Sequence, residues 1–135
     1  EGTADPLEVC AMLVFHDLGE ARIGDLHTFA TRYVTKDEHA AVRDQVKPLG
    51  AVGEKILSLW HQVEAKNTPA GIIAKDADYL ELALEAKEFQ ERGHDIAEMW
   101  IANTNKKVKT ESAKRLFEKL QHVKSTDWWQ TLRLP

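Results

Sequence analysis

His16, Asp17 and Glu20 stand within five residues of one another in the run Phe15-His16-Asp17-Leu18-Gly19-Glu20. An imidazole and two carboxylates can hold a divalent cation or move protons. On a helix, His16 and Glu20 are neighbours one turn apart, and Asp17 is turned about 100° from His16. All three can converge on an ion sited between their directions. The surrounding residues, Leu7, Val9, Cys10, Met12, Leu13, Val14, Phe15 and Leu18, make the segment apolar almost all round, the pattern of a buried helix. Charged groups on such a helix are costly without a partner, and a divalent cation would satisfy them together. The plainer alternative is a core histidine bonded to a backbone carbonyl, with Asp17 and Glu20 in ordinary ion pairs.

A second cluster lies in Lys75-Asp76-Ala77-Asp78-Tyr79-Leu80, on a helix expected to begin at Pro69. Ile73, Ala77, Leu80 and Leu84 form one apolar stripe, and Leu82 and Phe89 lie nearly opposite. Asp78 falls on the Leu82–Phe89 flank, where a carboxylate needs a cation. Lys75, another basic residue or a metal ion could each supply one.

The elements that must position these residues are helical nearly throughout. Asp5-Pro6 pairs an N-cap with a proline at the first helical position, and that helix is expected to run to about Ile23, closed by Gly24. Residues 25–36 are Thr-rich and aperiodic, a loop. Asp37 caps a helix to about Val46, Pro48 and Gly50 interrupt it, and another follows to about Lys66. Thr68-Pro69 opens the next, which runs to Arg92 with Gly93 closing it. Helices from Asp95 to about Lys107 and from Thr110 to about Val123 follow, then a short terminal turn carrying Trp128 and Trp129, expected to plug the core. No stretch alternates apolar and polar residues as a strand would. The expected fold is an all-α bundle of about five to seven helices forming a single domain over residues 1–135.

Composition bounds the function. The 135 residues are 43% hydrophobic and 30% charged, which suits a packed soluble domain and excludes wholesale disorder. The single cysteine, Cys10, leaves no internal disulfide and no cysteine-cluster metal site, and a reducing, cytoplasmic location fits. No apolar run reaches the ~18 residues needed to span a bilayer. Residues 1–105 carry ten basic and nineteen acidic side chains, residues 106–135 eight and three. With a net charge of −4, the chain has no global electrostatic case for nucleic acid. The basic C-terminal stretch reads as a solvated helix on an acidic body.

In order and spacing these residues resemble the HD-domain metal-dependent phosphohydrolases, and within them the branch containing bacterial 5′-deoxynucleotidases and their archaeal and eukaryotic relatives. That branch carries H-D-x-x-E, a following G-D-[LI] step and a later K-x-x-D. Here those are His16-Asp17 with Glu20, Gly24-Asp25-Leu26, and Lys75 with Asp78; Leu59-Trp60-His61-Gln62-Val63-Glu64 is similar to the family's Leu-Trp…Glu stretch. The resemblance covers roughly residues 7–90. It implies one divalent transition metal (Mn, Co, Fe, Ni or Zn) held by His16, Asp17, Asp78 and an upstream histidine, with a small-molecule nucleotide as substrate. Glu20 would handle the proton of the attacking water or of the leaving ribose oxygen. Asp25 would orient nucleotide or nucleophile, and Asp17, Asp25, Leu26, His27 and Thr28 would contact substrate. Lys75 would orient Asp78. A homodimer is also implied.

The upstream histidine and the family's substrate-contacting Arg-Trp step have no counterpart before His16, so an N-terminal portion is expected to be missing. The alternatives are another HD-type phosphohydrolase acting on triphosphates or phosphodiesters, and a non-catalytic helical interaction domain with a relic metal site. His61 and His94 read as surface or helix-end groups, and His39 and His122 have no partner identifiable from the sequence.

Overall fold

The computed structural model describes residues 2–130 and 132. Along the chain run α1 (Pro6–Phe15), α2 (Glu20–Ile23), α3 (Glu38–Val46), α4 (Ala51–Ala65), α5 (Pro69–Glu91), α6 (Ala97–Asn105), α7 (Glu111–His122) and α8 (Asp127–Gln130), with 3₁₀ turns at Ala30–Arg32 and Lys47–Leu49. The described residues contain no strand. The fold is all-α, as the periodicity requires. The chain divides into two compact units, residues 2–74 and the residues from Lys75 onward, and α5 runs through the boundary between them.

In the first unit the starts of α1, α3 and α5 are those the sequence marks. The Asp5 carboxylate accepts from the Leu7 amide and Asp37 from the Ala40 amide, each at 2.9 Å. The Thr68 hydroxyl accepts from the Gly71 amide at 3.0 Å ahead of α5. Each such cap is worth about 1 kcal/mol. Both α1 and α3 pack on α4. Met12, Leu59, Val63, Ala70 and Ala74 form one buried cluster. Val42, Val46, Ile56 and Trp60 form another, with Phe15 and Leu18 against it. At the α3–α4 corner a Cβ on Gly53 would run into the Val46 carbonyl, so only glycine lets α4 turn back this tightly.

In the second unit Ala83, Val108, Ala113, Phe117 and Leu120 form the core, with Tyr79, Leu80 and Ile101 around it. Thr110 caps α7 through the Ala113 amide. Asp76, only 3% exposed, accepts the backbone amides of Lys109 and Thr110 at 2.7–3.0 Å. A buried carboxylate is tolerated there because it neutralises the positive end of α7 and satisfies two amides.

Several expectations need correction. The first helix does not run from Pro6 to Ile23: it stops at Phe15 and a turn over residues 16–19 separates it from α2. Nor is α1 buried all round, since Leu7 is 78% and Val14 75% exposed and Cys10 is exposed. An apolar sequence allows burial on every side, but the first unit covers only the Met12 side. On α5 the expected stripe through Leu84 is not the buried line. Ala70, Ala74, Ala83 and Ala86 are buried, while Leu84 and Leu82 are exposed. Alanines let neighbouring helices approach closely, and the larger leucines are left at the flank. Trp128 and Trp129 are exposed rather than plugging the core. His39 does have a partner: its ring stacks on His61 at 4.8 Å, and both rings flank Trp60.

Candidate functional site

The turn that ends α1 carries two of the candidate residues and leads into a third. His16 Nε2 lies 2.9 Å from Asp17 Oδ2, and His16 Nδ1 is 2.7 Å from the Leu13 carbonyl oxygen. That carbonyl can only accept, so Nδ1 bears the proton and Nε2 is the nitrogen turned to the carboxylate. Anchoring one ring nitrogen on a carbonyl is the usual way a metal-ligating histidine is oriented. Successive residues on a helix do not face each other. The contact between His16 and Asp17 therefore belongs to the turn.

Glu20 follows at the start of α2, and its amide donates to the Asp17 carbonyl at 3.0 Å. Its carboxyl is pushed above the usual carboxylate range, first by partial burial and then by the negative charges of Asp17, Asp25 and Glu38; Lys36 opposes them. Lys36 lies 2.8 Å from Glu38 and is held protonated above the usual lysine range, mainly by that hydrogen bond. The direction of this shift is the one a proton-transferring carboxyl needs.

Gly24 closes α2 with φ +75°, the conformation glycine favours, and Asp25 follows it on the surface. Leu26 is half-buried, while His27 and Thr28 are exposed. His27 Nδ1 accepts from the Ala30 amide at 3.3 Å and the Thr28 carbonyl from the Thr31 hydroxyl at 2.8 Å. These bonds give the loop a defined shape beside α2.

Asp78 lies in the second unit, on α5, 2.9 Å from Lys75 Nζ. That is the pairing three residues apart that the sequence suggests. Lys75 and Lys107 both lie over the Tyr79 ring, at 5.6 and 5.4 Å.

The donor set can be tested against a divalent ion. Two ligands each about 2.1 Å from a metal and at right angles to one another are about 3 Å apart. The 2.9 Å between His16 Nε2 and Asp17 Oδ2, an ion-pair distance as it stands, is also the length of such an edge. An oriented imidazole and a carboxylate suit a first-row transition ion. Among the described residues no group of three or more His, Cys, Asp or Glu side chains is gathered to hold a metal. The pair thus fits as part of a ligand set.

Four supporting residues escaped the sequence reading as contributors to this site. Trp60 donates its indole N–H to the His16 carbonyl at 3.0 Å, and Gln45 its amide to the Leu18 carbonyl at 3.0 Å. Lys36 and Glu38 surround Glu20 with charge. All four reach the turn from 16 or more residues away in sequence, a distance no local spacing reports. Only the Leu-Trp step at 59–60 carried any signal.

A family model described as an HD domain matches residues 1–121. A 5′-deoxynucleotidase HDDC2 of Dictyostelium discoideum is 30% identical over 98 residues, 68% of this chain and 50% of that protein. The chain therefore spans about half the length of this curated relative. No solved structure matches. With the family model running across both units, over nearly the whole chain, the protein belongs to the HD-domain family.

Proposed function

We propose that the protein is a metal-dependent phosphohydrolase that cleaves deoxynucleoside 5′-monophosphates to deoxynucleosides and phosphate. The observation that carries this reading is the oriented His16–Asp17 pair, 2.9 Å apart, with an elevated glutamic acid three residues on. The HDDC2 relative, named a 5′-deoxynucleotidase, supports the choice of substrate. HD-domain phosphohydrolases are generally metal-dependent. His16 and Asp17, together with Asp78, are the ligands of this proposal.

The bound ion would supply Lewis acidity at a phosphate oxygen and lower the pKa of water in its shell. Everything else falls to the chain. Water attacks phosphorus, the P–O bond to the ribose 5′ carbon's oxygen breaks, and the proton lost by the water ends on that oxygen. Glu20 handles this proton, and a pKa raised above the usual carboxylate range favours its taking up and releasing the proton within one cycle. Asp25 orients the nucleotide or the water. Asp17, Leu26, His27 and Thr28 contribute substrate contacts. Lys75 holds the Asp78 carboxylate in place. The lone exposed cysteine and a nucleotide substrate go with a cytoplasmic location, and the apolar side chains left exposed, such as Met99 and Trp100 on α6 and Ile96 just before it, with a homodimer. Sedimentation of the intact protein checks the dimer.

The test is turnover of deoxynucleoside monophosphates, measured against nucleoside triphosphates, with Mn²⁺ or Co²⁺ added to metal-stripped intact protein. Asp17→Ala is expected to abolish both metal retention and turnover. Turnover that survives this change with metal still bound removes the site. Faster release from triphosphates shifts the reading to another HD-type hydrolase, and no stoichiometric metal after reconstitution leaves a helical interaction domain. Among the described residues no helix is long and apolar enough to cross a membrane.

A further inference from the structure

We infer that Trp60 and Gln45 are positioning residues for His16, Asp17 and Glu20, holding open the turn that carries them; this deepens the hydrolase reading and rests on it. In an unbroken helix the His16 carbonyl would accept the Glu20 amide and the Leu18 carbonyl the Arg22 amide. Here both amides bond one residue short: Glu20 to the Asp17 carbonyl and Arg22 to the Gly19 carbonyl, each at 3.0 Å. The His16 and Leu18 carbonyls lose their helical donors. The two side chains that replace them are the indole N–H of Trp60 from α4 and the amide of Gln45 from α3, both at 3.0 Å.

The overwound turn changes which residues face each other. At three residues per turn, side chains three apart eclipse, whereas in an α-helix they are offset. Asp17 and Glu20 are three apart, and His16 Nε2 meets Asp17 Oδ2 within the same turn. The donors are built to stay. Trp60 is 5% exposed and flanked by the His39 and His61 rings. Gln45 Oε1 is buried with no hydrogen-bond partner. Reversing the amide would only set that oxygen against the Leu18 carbonyl oxygen, so the side chain is kept for its donor end. Gly19 completes the seat: it is buried, and a Cβ there would press on the Glu38 side chain and Val42.

The experiment compares Trp60→Phe and Gln45→Met with Val63→Ala, a fully buried α4 position in the Met12 cluster whose side chain donates no hydrogen bond, in the intact protein. Trp60→Phe keeps a ring and loses the N–H; Gln45→Met keeps length and loses the amide. Each is expected to weaken Mn²⁺ binding roughly 10- to 100-fold, as loss of a ligand-orienting partner does. Turnover of a deoxynucleoside monophosphate should fall through kcat, with KM moved less than about twofold. Val63→Ala should lower the melting temperature and leave Mn²⁺ affinity unchanged. Equal Mn²⁺ affinity in all three variants and the parent overturns the inference. If the parent binds no Mn²⁺ and turns nothing over, the hydrolase reading fails by itself. Amide exchange at Glu20 and Arg22 then decides the positioning. Exchange about tenfold faster in Trp60→Phe and Gln45→Met but not in Val63→Ala upholds it, and equal exchange refutes it.

Discussion

Glu20 sits among like charges. Asp17, Asp25 and Glu38 all disfavour its ionised form, and Lys36 is the group that opposes them. A carboxyl held above its unfolded value favours the folded state when protonated. Its contribution is complete below the unfolded value and is lost as pH rises through the folded one. Glu20→Gln removes the repulsion, so the variant should melt above the parent at neutral pH, with the gap closing as pH falls through the carboxylate range. Thermal melts from pH 4 to 8 check the sign. The same variant should keep metal and lose turnover by about 10² to 10⁴, the usual worth of a general acid or base. Retained turnover would take the proton-handling role from Glu20.

At the scale of elements, two joints set the geometry. The α3–α4 corner depends on Gly53, whose Cα faces the Val46 carbonyl with no room for a side chain. Backbone cannot swing aside as a flexible side chain can. Gly53→Ala is expected to cost about 1 to 3 kcal/mol, as overpacking does, seen as a lowered urea midpoint. The joint between α5 and α7 depends on Asp76. Asp76→Ala would leave the Lys109 and Thr110 amides without their acceptor and remove a charge from the positive end of α7. A loss of about 3 kcal/mol follows, measurable by the same titration, with early loss of amide protection at the start of α7. Asp76 and Asp78 lie two residues apart on one helix and have different roles: one is sealed on backbone amides, the other paired with Lys75 near the surface.

For the whole molecule, two units share one chain, the first with buried clusters around Met12, Leu59 and Val63 and around Val42 and Trp60, the second with one around Phe117, Val108 and Ala113. Phe117 is 1% exposed, and Phe117→Ala should cost about 3 to 5 kcal/mol. A ligand that binds only the folded protein stabilises it by mass action, about 2.7 kcal/mol at a hundred times its dissociation constant. Saturating Mn²⁺ should therefore raise the melting temperature of the intact protein and a chelator should reverse it. Asp17→Ala should show neither response. A melting temperature indifferent to Mn²⁺ in the parent would count against the ligand set.

The sequence by itself determined the all-helical class, most of the helix starts and the residues offered as a candidate site. Asp5-Pro6, Asp37 and Thr68-Pro69 announced their caps, because a cap is made by residues two or three apart and is written locally. His16, Asp17, Glu20, Asp25 and Asp78 were legible as motif positions for the same reason, as was the all-α class. Tertiary structure decided the rest. In the turn after Phe15 the Leu18 and His16 carbonyls are met by donors on α3 and α4, 27 and 44 residues further on. Which side of α1 or α5 is buried depends on the partner that arrives, and an all-round apolar or alanine-lined helix leaves that choice open. Whether Asp76 or Asp78 is the sealed carboxylate was settled by a loop 33 residues further on. Short-range periodicity can name the residues a helix offers; only the three-dimensional arrangement of amides, carbonyls and charges fixes what each one does.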